Sequence, residues 1–214
     1  MPRFVLQGDA EQAPAMARYM KNQFQFLGIR APDRKQQEKV LLQHPLTKAA
    51  VLALIEALYT RPEREYQYVA IDLAIRHLKD WSLADLKFLS QYVTQKAWWD
   101  SVDSWRSLFG GYAKQFPETK GAIFAMFAGQ SNIWMRRVAI TLQLQDNAHL
   151  DRTLLTQAIE ADLTTDSFFI QKAIGWALRQ ASKVDPTWVR HFVTTHSLST
   201  LAQREAMKYL TEKS

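Results

Sequence analysis

The chain has 214 residues, 47% of them hydrophobic and 22% charged, and its seven Gly and seven Pro leave little material for hairpins or flexible linkers. The absence of cysteine excludes a disulfide framework, a thiolate nucleophile and any zinc site with sulfur ligands, and fits a reducing compartment. A formal charge of +6 with a pI near 9.5 points to a polyanionic partner, although proteins without one also carry such a charge.

From the N-terminus, residues 1–9 lack an apolar run followed by a small-residue cleavage site, and no stretch approaches the roughly 20 apolar residues of a membrane span. A cytoplasmic protein with no membrane association and a single domain over residues 1–214 is expected. The segment Tyr19-Met20-Lys21-Asn22-Gln23-Phe24-Gln25-Phe26-Leu27-Gly28-Ile29 mixes aromatics with a Lys before a Gly turn; core packing accounts for Phe24, Phe26 and Leu27. Further along, apolar residues recur at three- and four-residue spacing, as in Val51, Leu52, Ile55 and Leu58, or Ala70, Ile71, Ala74, Ile75 and Leu78. This periodicity predicts about a dozen short helices and no strands. Caps and breakers separate them at Pro32-Asp33, His44-Pro45, Arg61-Pro62, Ser82, Gly110-Gly111, Phe116-Pro117, Gly129 to Asn132, Asp146-Asn147, Thr165 to Ser167 and Asp185-Pro186.

Three segments align on an Ala-Ile pair: Tyr66 to Ile71, Trp134 to Ile140 and Phe169 to Ile174. The pairs stand 69 and then 34 residues apart, so a further copy is expected at Val102-Asp103-Ser104-Trp105. A period of this size marks two-helix solenoid units, each burying its apolar face against its neighbours. One phase of the repeat, carrying Tyr68, Asp103, Arg137 and Gln171, is expected to line an inner surface.

The stretch Trp98-Trp99-Asp100-Ser101-Val102-Asp103-Ser104-Trp105 holds three tryptophans and two carboxylates. Trp99 and Asp103 are four apart and share a helical face. A carboxylate beside a large aromatic suits stabilisation of positive charge in glycosidic-bond cleavage, whose transition state is oxocarbenium-like. The competing account makes the tryptophans core and the carboxylates caps or ion-pair partners. A second cluster runs Lys172-Ala173-Ile174-Gly175-Trp176-Ala177-Leu178-Arg179. Lys172, Trp176 and Arg179 form one stripe, and the mid-helix Gly175, which costs about 1 kcal/mol against Ala, predicts close approach of another helix or a ligand. Arg136-Arg137 adds two guanidiniums suited to phosphate, and a solvated basic face is the alternative for both clusters. The histidines His44, His77, His149, His191 and His196 have no metal-ligating spacing, and neither a phosphate-binding GxxxxGK[ST] loop nor a GxSxG elbow occurs. No metal and no cofactor are expected.

Over nearly the whole chain the residues resemble the DNA alkylation repair family of HEAT-like DNA glycosylases, the AlkD-like type. The matching blocks are Tyr19 to Asn22 with Phe26 to Ile29, Arg64 to Tyr68, Trp98 to Asp103, Trp134 to Arg137, Phe168 to Ile170 with Lys172 to Arg179, and Arg204 to Ala206. The resemblance implies an all-α HEAT-like helical-repeat solenoid, an α-α superhelix with a concave basic groove. It further implies a monofunctional glycosylase that removes cationic N3- and N7-alkylated purines from double-stranded DNA without flipping the base; a nucleoid-associated monomer is expected, since a groove that wraps duplex DNA needs no partner subunit. By the same resemblance Asp103 is the catalytic carboxylate, Trp99 and Trp176 flank the lesion nucleotide, and Arg137 and Arg179 grip phosphates. Lys172 and Arg136 join the DNA-binding set, and Tyr19 is the N-terminal aromatic near the lesion. Gln171 stands where the family favours a basic residue, which puts one phosphate contact in doubt. Two alternatives are a non-catalytic module for damaged or branched DNA and a protein-binding scaffold.

Overall fold

Regular structure in the computed structural model, which describes residues 4–42 and 45–210, is helical throughout; the readings of residues 1–3 and of His44 lie outside the described residues. In chain order the α-helices are α1 (Ala13–Tyr19), α2 (Ala31–Glu38), α3 (Lys48–Tyr59), α4 (Arg64–Arg76), α5 (Leu83–Leu89), α6 (Trp99–Gln115), α7 (Lys120–Phe127), α8 (Ile133–Thr141), α9 (Arg152–Glu160), α10 (Phe168–Ala181), α11 (Pro186–Thr195) and α12 (Thr200–Met207). Their starts follow from side-chain chemistry. Thr47, Asn132, Asp151, Asp185 and Ser199 each accept a first-turn backbone N–H, and Ser82 and Asp85 form a reciprocal capping box at α5. Pro at the first turn opens α1, α2 and α11, where the missing N–H costs nothing.

One expected breaker is not a breaker. Gly110-Gly111 lies inside α6, and a Cβ at Gly110 would stand 2.4 Å from the carbonyl oxygen of Leu142. The glycine there permits a close crossing of the chain after α8.

The chain divides into two units, Met1–Trp81 and Ser82–Ser214. In the first, α4 packs against α2 and α3, and Glu65 organises the loop that precedes α2. Its carboxylate is fully buried and accepts three backbone N–H bonds, from Leu27 at 2.9 Å, Gly28 at 2.9 Å and Ile29 at 3.1 Å. The neighbouring Arg64, also fully buried, lays its guanidinium over the Phe24 ring at 3.8 Å, and its backbone N–H donates to the Gln25 carbonyl. The Glu65 bonds join two of the sequence blocks, Phe26 to Ile29 and Arg64 to Tyr68, that carry the family resemblance.

In the second unit α6 packs on α8, α8 on α10 and α10 on α12, while α7, α9 and α11 each pack beside the helix before them. This is the succession of two-helix repeats expected from the period. The apolar residues Val102, Val138, Ile174 and Leu178 are completely buried, as are Trp105 and Phe109. No helix among the described residues is long and apolar enough to cross a membrane.

Replacing Glu65 by Ala leaves three buried N–H groups without an acceptor. The expected loss is at least about 3 kcal/mol of unfolding free energy, read from urea midpoints, against almost none for the exposed Glu11→Ala.

Candidate functional site

Asp103 sits one turn into α6, four residues after Trp99, which opens the helix. The Arg137 guanidinium on α8 grips both carboxylate oxygens: Nε donates to Oδ1 at 2.8 Å and Nη2 to Oδ2 at 2.8 Å. The remaining terminal nitrogen, Nη1, donates to the Phe169 carbonyl at 2.5 Å, so the arginine ties α6, α8 and α10 at one point. The exposure of the pair is unequal. The Arg137 side chain is 5% exposed and that of Asp103 19%, so the anion keeps an open side while its partner does not. Bidentate geometry of this kind holds a carboxylate in one orientation.

Two of the three tryptophans in this stretch are packing residues. Trp105 is fully buried and stacks on Tyr92 with centroids 5.8 Å apart. Trp98 joins Trp134 and Phe169 in an aromatic cluster with centroid spacings of 4.9 to 5.9 Å, at the starts of α6, α8 and α10. Trp99, which opens α6, is half-buried. A cation that sequence patterning did not single out completes the group: Arg106, one turn after Asp103, is buried with its Nε unpartnered. Burial pushes its ionisation down, the charge of Asp103 opposes that shift and Arg137 adds to it.

The second cluster centres on a carboxylate. Lys172 and Arg179 on α10 reach Glu205 of α12, with Lys172 Nζ 2.8 Å from Oε1 and Arg179 Nη1 2.8 Å from Oε2; Lys208 Nζ is also 2.8 Å from Oε1. Burial alone would raise the Glu205 ionisation, but hydrogen bonds and charge from Lys172 and Lys208 outweigh it and hold the group at about 2. Gly175 lies against this point. A Cβ there would come 2.5 Å from Glu205 Cβ and 2.8 Å from the Ala202 carbonyl, so the unusual glycine marks a helix crossing, as its position predicted. Trp176 is half-buried, on the same stripe of α10 as Lys172 and Arg179.

The remaining expected residues are placed as follows. Arg136 donates to both oxygens of Asp162, at 3.0 and 3.2 Å, and to the carbonyls of Gln130 and Ser131. Arg136 and Arg137 therefore both have internal partners. Gln171 is buried and its amide donates to the Asp162 and Thr165 carbonyls, fastening the loop before α10. The phase that carries Asp103, Arg137 and Gln171 is thus a row of contacts, with Arg137 and Gln171 buried instead of lining a surface. In the first unit Tyr19 is 69% exposed at the end of α1, and with Tyr68, Met16, Met20, Phe26 and Arg30 it borders a pocket of about 430 Å³. Sequence patterning assigned no role to Glu205, Lys208 or Arg106; the one signal for the first two was the mid-helix glycine that announces a close neighbour. Among the described residues no group of three or more His, Asp or Glu side chains is gathered as a metal site.

Residues 2–210 match the family of DNA alkylation repair enzymes. A solved structure from Enterococcus faecalis, titled a predicted DNA alkylation repair enzyme, is 48% identical in sequence and superposes with a TM-score of 0.96 over 98% of this chain and 100% of its own. No curated protein matches.

Two outcomes follow for the α10 and α12 contact. Gly175→Ala should cost about 2 kcal/mol in denaturant unfolding, because backbone and Cβ atoms, not a flexible side-chain tip, meet the added methyl. The depressed Glu205 contributes stability that is complete above its usual value of 4.5 and is lost as pH falls toward about 2. Glu205→Gln should therefore remove on the order of 2 kcal/mol at neutral pH and flatten the acid limb below about pH 4.5, seen in urea midpoints taken on descending pH.

Proposed function

The chain belongs to the DNA alkylation repair enzyme family, and on that premise we propose that it is a monofunctional DNA glycosylase for cationic N3- and N7-alkylated purines in duplex DNA. It works in the cytoplasm, at the nucleoid, as a monomer and without metal or cofactor. The observation that carries this reading is the carboxylate of Asp103, fixed on both oxygens by a buried arginine yet open on one side. A phosphate-binding protein gains nothing from an anion presented to DNA. A glycosylase does, because a fixed negative charge stabilises the oxocarbenium ion that forms as the bond breaks.

The chemistry asks little else. The C1′–N bond of an alkylated purine breaks with its electron pair going to the base, whose positive charge is thereby cancelled. No proton need be delivered to the leaving group. Asp103 stabilises the cationic sugar and orients a water for addition to C1′, after which the water proton passes to solvent. Trp99 and Trp176 present aromatic faces that favour the positive charge of lesion and transition state. Lys172, Arg179 and the exposed Tyr19 hold the duplex backbone. Arg137 acts chiefly by orienting Asp103, and with Arg136 it contacts phosphate where DNA displaces an internal partner.

The same ion pair also favours a second reading, a module that binds damaged or branched DNA without cutting, since both oxygens of Asp103 already accept bonds. Release of free 7-methylguanine or 3-methyladenine from methylated duplex, in chelator, separates the two. Wild type should release base, and Asp103→Asn should be slower by about 100-fold or more with duplex binding little changed. Binding by wild type with no release of either base would establish the module instead. A melting curve of the variant guards against loss of fold as the cause.

A further inference from the structure

Three cations converge on one carboxylate where α10 meets α12, and two of them face solvent. The Glu205 side chain is 3% exposed, those of Lys172 and Lys208 are 40% and 46% exposed, and that of Arg179 is 21% exposed. Both ammonium groups lie 2.8 Å from the same oxygen, Oε1, so they stand no further apart than twice that distance in spite of their mutual repulsion. The cluster therefore presents positively charged side chains at the surface. Tyr209, 42% exposed, lies under Arg179 at 5.9 Å and Lys183 at 4.9 Å and continues the cationic face.

We infer that this cluster is a seat for one phosphodiester group of the DNA backbone, clamped between Lys172 and Lys208, with Glu205 as the positioning residue beneath it. The inference rests on the DNA-binding reading above and deepens it: the interface extends through Lys208 to the C-terminal end of α12, and a buried acid acquires a part in binding an anion. The physical logic is preorganisation. A lysine side chain surrenders rotamer entropy when fixed, and Glu205 fixes two of them before DNA arrives. An ammonium carries three donors, so a bond to Glu205 is compatible with a grip on phosphate as well. The carboxylate does not repel the phosphate as an exposed acid would, because it is covered and outnumbered by cations. Trp176 lies on α10 between Lys172 and Arg179, so the seat fixes the backbone beside an aromatic proposed to face the lesion nucleotide.

The test is the salt dependence of binding to a short undamaged duplex, followed by fluorescence anisotropy for wild type, Lys208→Ala, Lys208→Arg and Glu205→Gln. Lys208→Ala should reduce the slope of log K against log salt by about one, and Lys208→Arg should restore it. Glu205→Gln should weaken binding several-fold although it makes the surface more positive. A slope unchanged in Lys208→Ala overturns the seat, and so does tighter binding by Glu205→Gln, which is what charge alone would produce. Lys208 is exposed, so its variants decide the matter even where Glu205→Gln fails a melting check. A wild type that does not bind duplex at all overturns the DNA reading and the seat with it; a wild type that binds, with a silent Lys208→Ala, overturns the seat only.

Discussion

The second unit hangs on a guanidinium fork that spans one repeat. Arg137 and Asp103 are 34 residues apart, the period of the chain, and they meet because equivalent positions on successive helices lie side by side. A buried arginine is tolerable only when its donors are filled, and here two go to Asp103 and one to the Phe169 carbonyl of the next helix. The pair therefore sets the spacing of α6, α8 and α10 at the end where their aromatic residues gather. It also immobilises the one carboxylate that the proposed chemistry needs.

Buried carboxylates recur as ties elsewhere. Glu65 gathers three amides of a loop, Asp162 holds Arg136 and thereby the start of α8, and Glu205 holds three cations from α10 and the end of α12. Short helices have little cooperativity of their own, so their placement depends on such contacts between elements. Each tie is expensive to break, since the partner is left buried and unsatisfied. This explains why so many charged residues in a basic chain lie inside it, and why positive charge counted along the sequence overstates what the surface offers to a polyanion.

Exposure then sorts residues that look alike in sequence. Arg137 has all three guanidinium nitrogens bonded internally, whereas Lys172 and Lys208 are held by one acid and stay partly exposed. Trp105 is completely buried, whereas Trp99 and Trp176 are half-buried on helices that carry charged groups. The glycosylase reading relies on the second member of each contrast.

By itself the sequence determined the helical class and the repeat period, because apolar spacing, caps and Ala-Ile recurrence are local properties of the chain. It also placed Gly175 at a close contact, since a glycine inside a helix has few other reasons to be there. It misjudged Gly110-Gly111 for the same locality: a helix interior and a helix break look identical when the crossing partner, Leu142, is 32 residues away. Only the tertiary structure decided that Arg137 faces Asp103 and not solvent, that Gln171 fastens a loop, and that Glu205 lies under Lys172, Arg179 and Lys208. Those are pairings between helices, and whether a charge meets a partner or water depends on how the helices pack, which periodicity alone does not specify.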